Sequence, residues 1–110
     1  MSKFHRDLAN SAMARFSFEE QMANVGADVD RAFNWLKKGN QKYARGHYLM
    51  ALELIDFVIA DPRNSGRVHE ASEARQRMID TFDDTNQSGS TQETWREYFE
   101  PFEQAYARGK

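Results

Sequence analysis

The chain has 110 residues, a net charge of −2 and no cysteine, with 40% hydrophobic, 13% aromatic and 29% charged side chains. That length supports one domain with a single core. The missing thiols exclude disulfides, thiolate catalysis and cysteine-ligated metals, and the slight negative charge gives no electrostatic reason to expect nucleic acid or an anionic membrane as partner. No apolar run reaches the roughly 18 residues of a membrane span. The first residues lack a signal peptide's apolar stretch, so the expected home is the cytoplasm.

Apolar spacing is helical almost throughout. Phe4, Leu8, Ala12 and Phe16 make a short first stripe. Ser17 and Glu20 have capping-box spacing and predict a short helix to about Val25, stopped by Gly26. Residues 1–27 are therefore expected as an N-terminal helical extension. Asp28 is expected to open the next helix, with Val29, Ala32, Phe33, Leu36, Tyr43 and Ala44 as its stripe and Gly46 as its end. Tyr48, Ala51, Leu52, Ile55, Val58 and Ile59 then recur at three-and-four spacing, and Leu54 and Phe57 add a second apolar face. This helix should close at Asp61-Pro62, because residues before proline avoid helical angles.

Residues 64–82 predict a third core helix, capped by Asn64 or Ser65, with Val68, Ala71, Met78, Ile79 and Phe82 inward. Residues 83–90 read as a polar loop. Ser90 and Glu93 suggest a second capping box, opening an aromatic helix over 91–108 with Trp95, Tyr98, Phe99, Phe102 and Tyr106. Pro101 should kink or split that helix. The expected fold is all-α: an antiparallel bundle of about five helices.

The central pair carries the most information. Trp35, Gly39, Gly46, Tyr48 and Ala51 follow one another at intervals of 4, 7, 2 and 3, which matches the helix-turn-helix unit of a tetratricopeptide repeat (TPR). On this reading residues 28–61 form a TPR-like hairpin. Gly39 allows close helix approach, Gly46 makes the turn, Tyr48 and Ala51 pack between the helices, and Pro62 closes the unit. One period later the signature positions hold His69 and Glu73. There is thus one such unit and no array, and its apolar face must be covered by flanking helices or a second subunit.

Residues 46–54 (Gly-His-Tyr-Leu-Met-Ala-Leu-Glu-Leu), 58–64 (Val-Ile-Ala-Asp-Pro-Arg-Asn) and 95–99 (Trp-Arg-Glu-Tyr-Phe) are the strings that matter next. Over roughly residues 32–108 the chain resembles the dimerisation domain of alkyl sulfatases. In that family a helical, TPR-like segment follows a metallo-β-lactamase-type catalytic domain and mediates homodimer formation. The family's zinc-binding histidine motif has no counterpart here, where the histidines are only His5, His47 and His69, and the lipid-carrier-like C-terminal domain is likewise missing. The resemblance therefore implies an assembly role and not sulfatase catalysis.

Candidate sites follow from this frame. The aromatic set Trp95, Tyr98, Phe99, Phe102 and Tyr106, with Leu54 and Phe57, is the expected interface, since such residues anchor protein contacts. Lys37, Lys38, Lys42 and Arg45 form a basic cluster. It reads as a groove for an acidic peptide or, more plainly, as a solvated helix face with cations near a C-terminus. Scattered histidines predict no metal site. His69, Glu70 and Glu73 read as charge near a helix start, and Asp83-Asp84 as loop acids that nothing desolvates. The expected function is a non-catalytic protein-interaction or dimerisation module without cofactor, its partner a second copy or another protein. The alternative is an accessory or regulatory subunit docking on a separately encoded hydrolase resembling an alkyl sulfatase.

Overall fold

A computed structural model describes residues 13–108. The expected stripe positions Phe4, Leu8 and Ala12, and with them residues 1–12 of the N-terminal extension, lie outside them. Among the described residues the fold is all-helical, with no strand. Helix α1 spans Phe18–Lys37 and α2 spans Gln41–Ala60. A 3-10 segment covers Pro62–Arg67, α3 covers Val68–Asp83 and α4 covers Gln92–Arg108. Helix α1 packs against both α2 and α4, and α2 against α3.

Ser17 starts α1 as expected, its Oγ accepting the Glu20 amide at 3.2 Å. The helix then runs through Gly26 and does not stop there. Asp28 is no cap but an interior helical residue. The glycine has a different task. A Cβ built on Gly26 would lie 2.6 Å from Phe99 Cγ, so the missing side chain lets α4 cross α1 closely.

Neither Gly39 nor Gly46 has the role that the repeat spacing assigns it. Gly39 is the turn, with φ +77° and nothing within 4 Å of a built Cβ. Its amide donates to Leu36 O at 3.0 Å and that of Asn40 to Trp35 O at 2.9 Å, the paired closure of a Schellman motif. Asn40 then caps α2, its Oδ1 accepting the Tyr43 amide at 2.9 Å. Gly46 sits exposed inside α2, also with nothing within 4 Å. The hairpin is therefore longer than the expected 28–61, because a single cap-and-turn at residues 38–40 replaces the two breaks read at Gly26 and Gly46.

The core combines Met22, Val25, Val29 and Ala32 of α1 with Tyr48, Ala51, Ile55 and Val58 of α2. Ala71, Ala74 and Met78 of α3 and Trp95, Phe99 and Phe102 of α4 complete it. Tyr48 and Ala51 are 1% and 0% exposed, and Tyr48 packs on Phe82 and bonds Asp83 at the end of α3.

The end of α2 is fastened by polar groups. Asp61 is buried, and Arg63 grips its carboxylate with Nε and Nη2, the shortest contact being 2.7 Å. Gln21, fully buried on α1, donates to Asp61 Oδ2 at 3.0 Å and to Met13 O at 2.9 Å. Asn64 does not cap α3. Its Nδ2 donates to Gln21 Oε1 at 2.8 Å and to Val58 O at 3.0 Å, a carbonyl left without a partner where the helix ends. The third helix accordingly begins at Val68, later than expected, with no side-chain cap. Pro62 opens the 3-10 segment, where a missing amide costs nothing. Arg63, and next Gln21, hold the Asp61 carboxyl far below the usual carboxylate range.

Two expectations about the last helix also change. The cap is Thr91, not Ser90: Thr91 Oγ1 accepts the Thr94 amide at 3.2 Å, and Thr94 Oγ1 accepts the Thr91 amide at 2.8 Å. Ser90 is buried in the preceding loop, where Arg77 Nε donates to its Oγ at 2.9 Å. That loop is built on Asp80, whose carboxylate accepts the amides of Gln87 and Ser88 at 2.8 and 3.0 Å. Helix α4 carries Pro101 without splitting. The proline is exposed, so water can reach the carbonyl that loses its donor.

Two expectations follow for stability. Gly26→Ala should destabilise the fold by about 1–3 kcal/mol through overpacking against Phe99. Gly46→Ala should be neutral or stabilise it by about 0.5–1 kcal/mol, as for an exposed helical glycine. Urea midpoints of the two variants check the opposite signs. Asp61→Ala should cost about 2–4 kcal/mol, by removing the shared acceptor of a buried network. Because the folded Asp61 carboxyl titrates below its unfolded value of about 3.9, its contribution is present above that pH and drains away as pH falls. Denaturation of wild type and Asp61→Ala at neutral and acid pH should therefore converge in stability on the acid side.

Candidate interaction surface

The aromatic helix does not present the interface expected of it. Trp95, Phe99 and Phe102 are 1%, 2% and 7% exposed. Trp95 stacks on Phe99 at 5.5 Å between centroids, and Phe102 meets Phe18 edge-on at 5.8 Å. Trp95 Nε1 donates to Thr81 Oγ1 at 3.2 Å, and the Arg77 guanidinium lies 4.2 Å over the indole. These rings are the chain's own core, drawn inward through the slot that Gly26 leaves open. Tyr98 and Tyr106 are half-buried, and burial pushes the Tyr98 hydroxyl up to about 12. Leu54 is buried and Phe57 half-buried.

The basic cluster straddles the hairpin turn and does not share one helix. Lys37 and Lys38 close α1, while Lys42 opens α2; all three are exposed. Arg45 leaves the group: its Nη1 bonds Asp83 Oδ1 at 2.8 Å. Asp83 also accepts the Tyr48 hydroxyl at 3.0 Å, and burial, then this contact, raises the Tyr48 pKa to about 12. The Arg45 and Tyr48 bonds in turn hold the Asp83 carboxyl below its ordinary value. Asp83 is thus a structural tie between α2 and α3 and not half of an acid pair with the exposed Asp84.

The remaining polar candidates are held in the same way. His47 Nδ1 lies 3.1 Å from Asp28 Oδ1, which also accepts from Arg31 at 3.2 Å. His69 pairs with Glu73 at 3.0 Å on an exposed face. Among the described residues no three His, Asp or Glu side chains converge to hold a metal ion. His5 lies outside them.

Two depressions stand out. The larger, about 740 Å³, lies between α1 and α4 and is lined by Asp30, Asn34, Arg96, Glu100 and Glu103 among others. Within it Arg96 grips Asp30 at 2.6 Å and holds that carboxyl below its usual value. The second, about 610 Å³, lies on the hairpin and is lined by Asp28, Trp35, Lys42, Tyr43, Gly46, His47 and Met50. Trp35 and Tyr43 meet edge-on at 4.9 Å across the turn, and Lys38 Nζ sits 4.8 Å from the indole centroid. All seven lining residues belong to α1 and α2, and neither α3 nor α4 covers this face.

The exposed large hydrophobics also gather on this hairpin: Leu36, Tyr43 and Leu49 are 43%, 52% and 37% exposed. Sequence reading assigned Tyr43 and Leu36 to a core stripe and gave no role to His47 or Met50. The available signal was Tyr43, Gly46 and Met50 at three-and-four spacing, on the side of α2 away from Tyr48, Ile55 and Val58.

The class of protein defined so far is an all-helical, bundle-like fold with an open hairpin face. Comparison with family models, with characterised proteins and with solved structures gives no match. Among the described residues, no helix is long and apolar enough to cross a membrane.

Proposed function

We propose that this chain is a non-catalytic protein-interaction module of the cytoplasm that assembles through the open face of its α1/α2 hairpin. The observation that carries the reading is an apolar groove there walled by Trp35, Tyr43 and Met50, with Tyr43 52% exposed. Apolar surface of this kind, rimmed by charge, marks protein contacts. The titratable groups that the fold brings together are engaged in ties between helices, as in Arg45–Asp83–Tyr48 and Asp28–His47. They are thus occupied as structure and not poised for chemistry.

The hairpin is TPR-like in this proposal, with Gly39 as its turn and Tyr48 and Ala51 packed inside. The resemblance to alkyl sulfatase dimerisation domains supports self-association. It equally supports the second reading, docking as an accessory subunit on a separate hydrolase of that kind.

On the homodimer reading, self-association should appear as a rise in mass with concentration in sedimentation or light scattering. Tyr43→Ala and Met50→Ala should restore the monomer while the helical circular dichroism is kept. Trp95→Ala should instead unfold the chain, at a cost of about 3–5 kcal/mol for a buried aromatic. A mass that stays monomeric at every concentration would remove the homodimer and leave docking on another protein. Hydrolytic turnover by the purified chain would overturn the non-catalytic reading.

A further inference from the structure

The lysines are distributed in a telling way. Lys37, Lys38 and Lys42 are the only lysines among residues 13–108; all three stand near the hairpin turn, Lys42 on the groove lining and Lys38 over its Trp35 wall. None forms an ion pair among the described residues. Six of the nine described arginines behave differently: Arg31, Arg45, Arg63, Arg67, Arg75 and Arg96 each meet a carboxylate at 3.4 Å or less. No acidic residue lies three or four positions from any of the three lysines, so the helices themselves offer no partner of the usual kind. Two cations without a carboxylate partner, Lys42 on the lining and Lys38 over the Trp35 ring, thus flank one apolar groove.

Gly46 adds an independent observation. It lies inside α2, where glycine weakens a helix relative to alanine. Neither a positive φ nor a neighbour within 4 Å requires it there. Nothing within the fold uses the missing side chain, whereas a backbone approaching from outside would. Trp35, Tyr43 and Met50 stand around it as apolar walls, and a thioether adapts readily to an incoming side chain.

We propose that this groove seats an acidic amphipathic helix of a partner protein, its apolar side chains on Gly46 and Met50 and its carboxylates against Lys38 and Lys42. The inference rests on the interaction-module reading and names the partner's chemistry. A second copy of the chain fits less well. Its unpaired acids on α4, Glu93, Glu97 and Glu103, are exposed, but the large apolar residues of that helix turn inward to the core. A copy would bring charge without anchors, and exposed charge pairs alone contribute little.

The test is fluorescence anisotropy with a labelled amphipathic peptide of about four helical turns, leucine on one face and glutamate on the other. Two twins serve as controls, one with lysine for glutamate and one with alanine for leucine. Wild type should bind the acidic peptide, and neither twin. Lys42→Glu and Gly46→Leu should each weaken binding by about tenfold or more. Leucine is a better helix former than glycine, so unchanged circular dichroism will show that Gly46→Leu fills the groove without unfolding α2. Equal binding of the lysine twin, insensitivity to both variants, or displacement of the peptide by single-stranded oligothymidylate would overturn the proposal. Loss of self-association in Tyr43→Ala without any peptide binding would refute the acidic helix and leave the interaction module standing. Neither self-association nor peptide binding would sink both.

Discussion

The fold hangs on a buried carboxylate. Asp61 ends α2, and around it Gln21 of α1, Arg63 and Asn64 close a network in which each polar group named has a partner. Polar groups in a low-dielectric interior are costly when unpaired and restrictive in geometry when satisfied. This one fixes where α2 stops, how far along α1 that end must sit, and which way the chain leaves for α3. A purely apolar contact would tolerate a slide of one helix along the other. A bidentate guanidinium and two oriented amides do not.

With that end pinned, the opposite end of the hairpin is free to be open. The Schellman closure at Gly39 and the Asn40 cap satisfy the helix termini locally, so the tip needs no third helix over it. Trp35 and Tyr43 cover each other edge-on, and the lysines remain in water. Rigidity at the Asp61 end and exposure at the Gly39 end are thus two results of one arrangement, and they place the apolar groove where a partner can reach it.

The sequence was most legible where periodicity and caps agree. The Tyr48–Ala51–Ile55–Val58 stripe, the Ser17 cap and the stop before Pro62 follow from local rules, and the structure carries them. It was least legible at the glycines, because local sequence cannot separate their uses. Gly26 reads as a stop only until Phe99, distant in the chain, is seen against it. Gly39 and Gly46 share a spacing with the repeat pattern, yet the capping asparagine decides which of them turns. The aromatic helix misled for a related reason. Trp and Phe suit an interface and a core equally well, and only the slot at Gly26 shows that this chain uses them within. The unpaired lysines could have been read from sequence, by noting that no acid stands within reach along their helices.

The contact between Gly26 and Phe99 also bears on how the chain acquires its shape. Helices α1 and α2 are neighbours in sequence, and their hairpin can form as soon as both have been synthesised. The slot on α1 is filled by Phe99 of α4, which is made after the other helices described, so this part of the core stays incomplete until α4 has emerged. Closing that long loop comes late and carries an entropic cost that the hairpin does not face. In the interval Val25 and Val29 are shielded by α2 alone, and the nascent chain shows apolar surface on both sides of α1. Until Phe99 is seated, that surface is the part of the nascent chain most exposed to wrong apolar contacts.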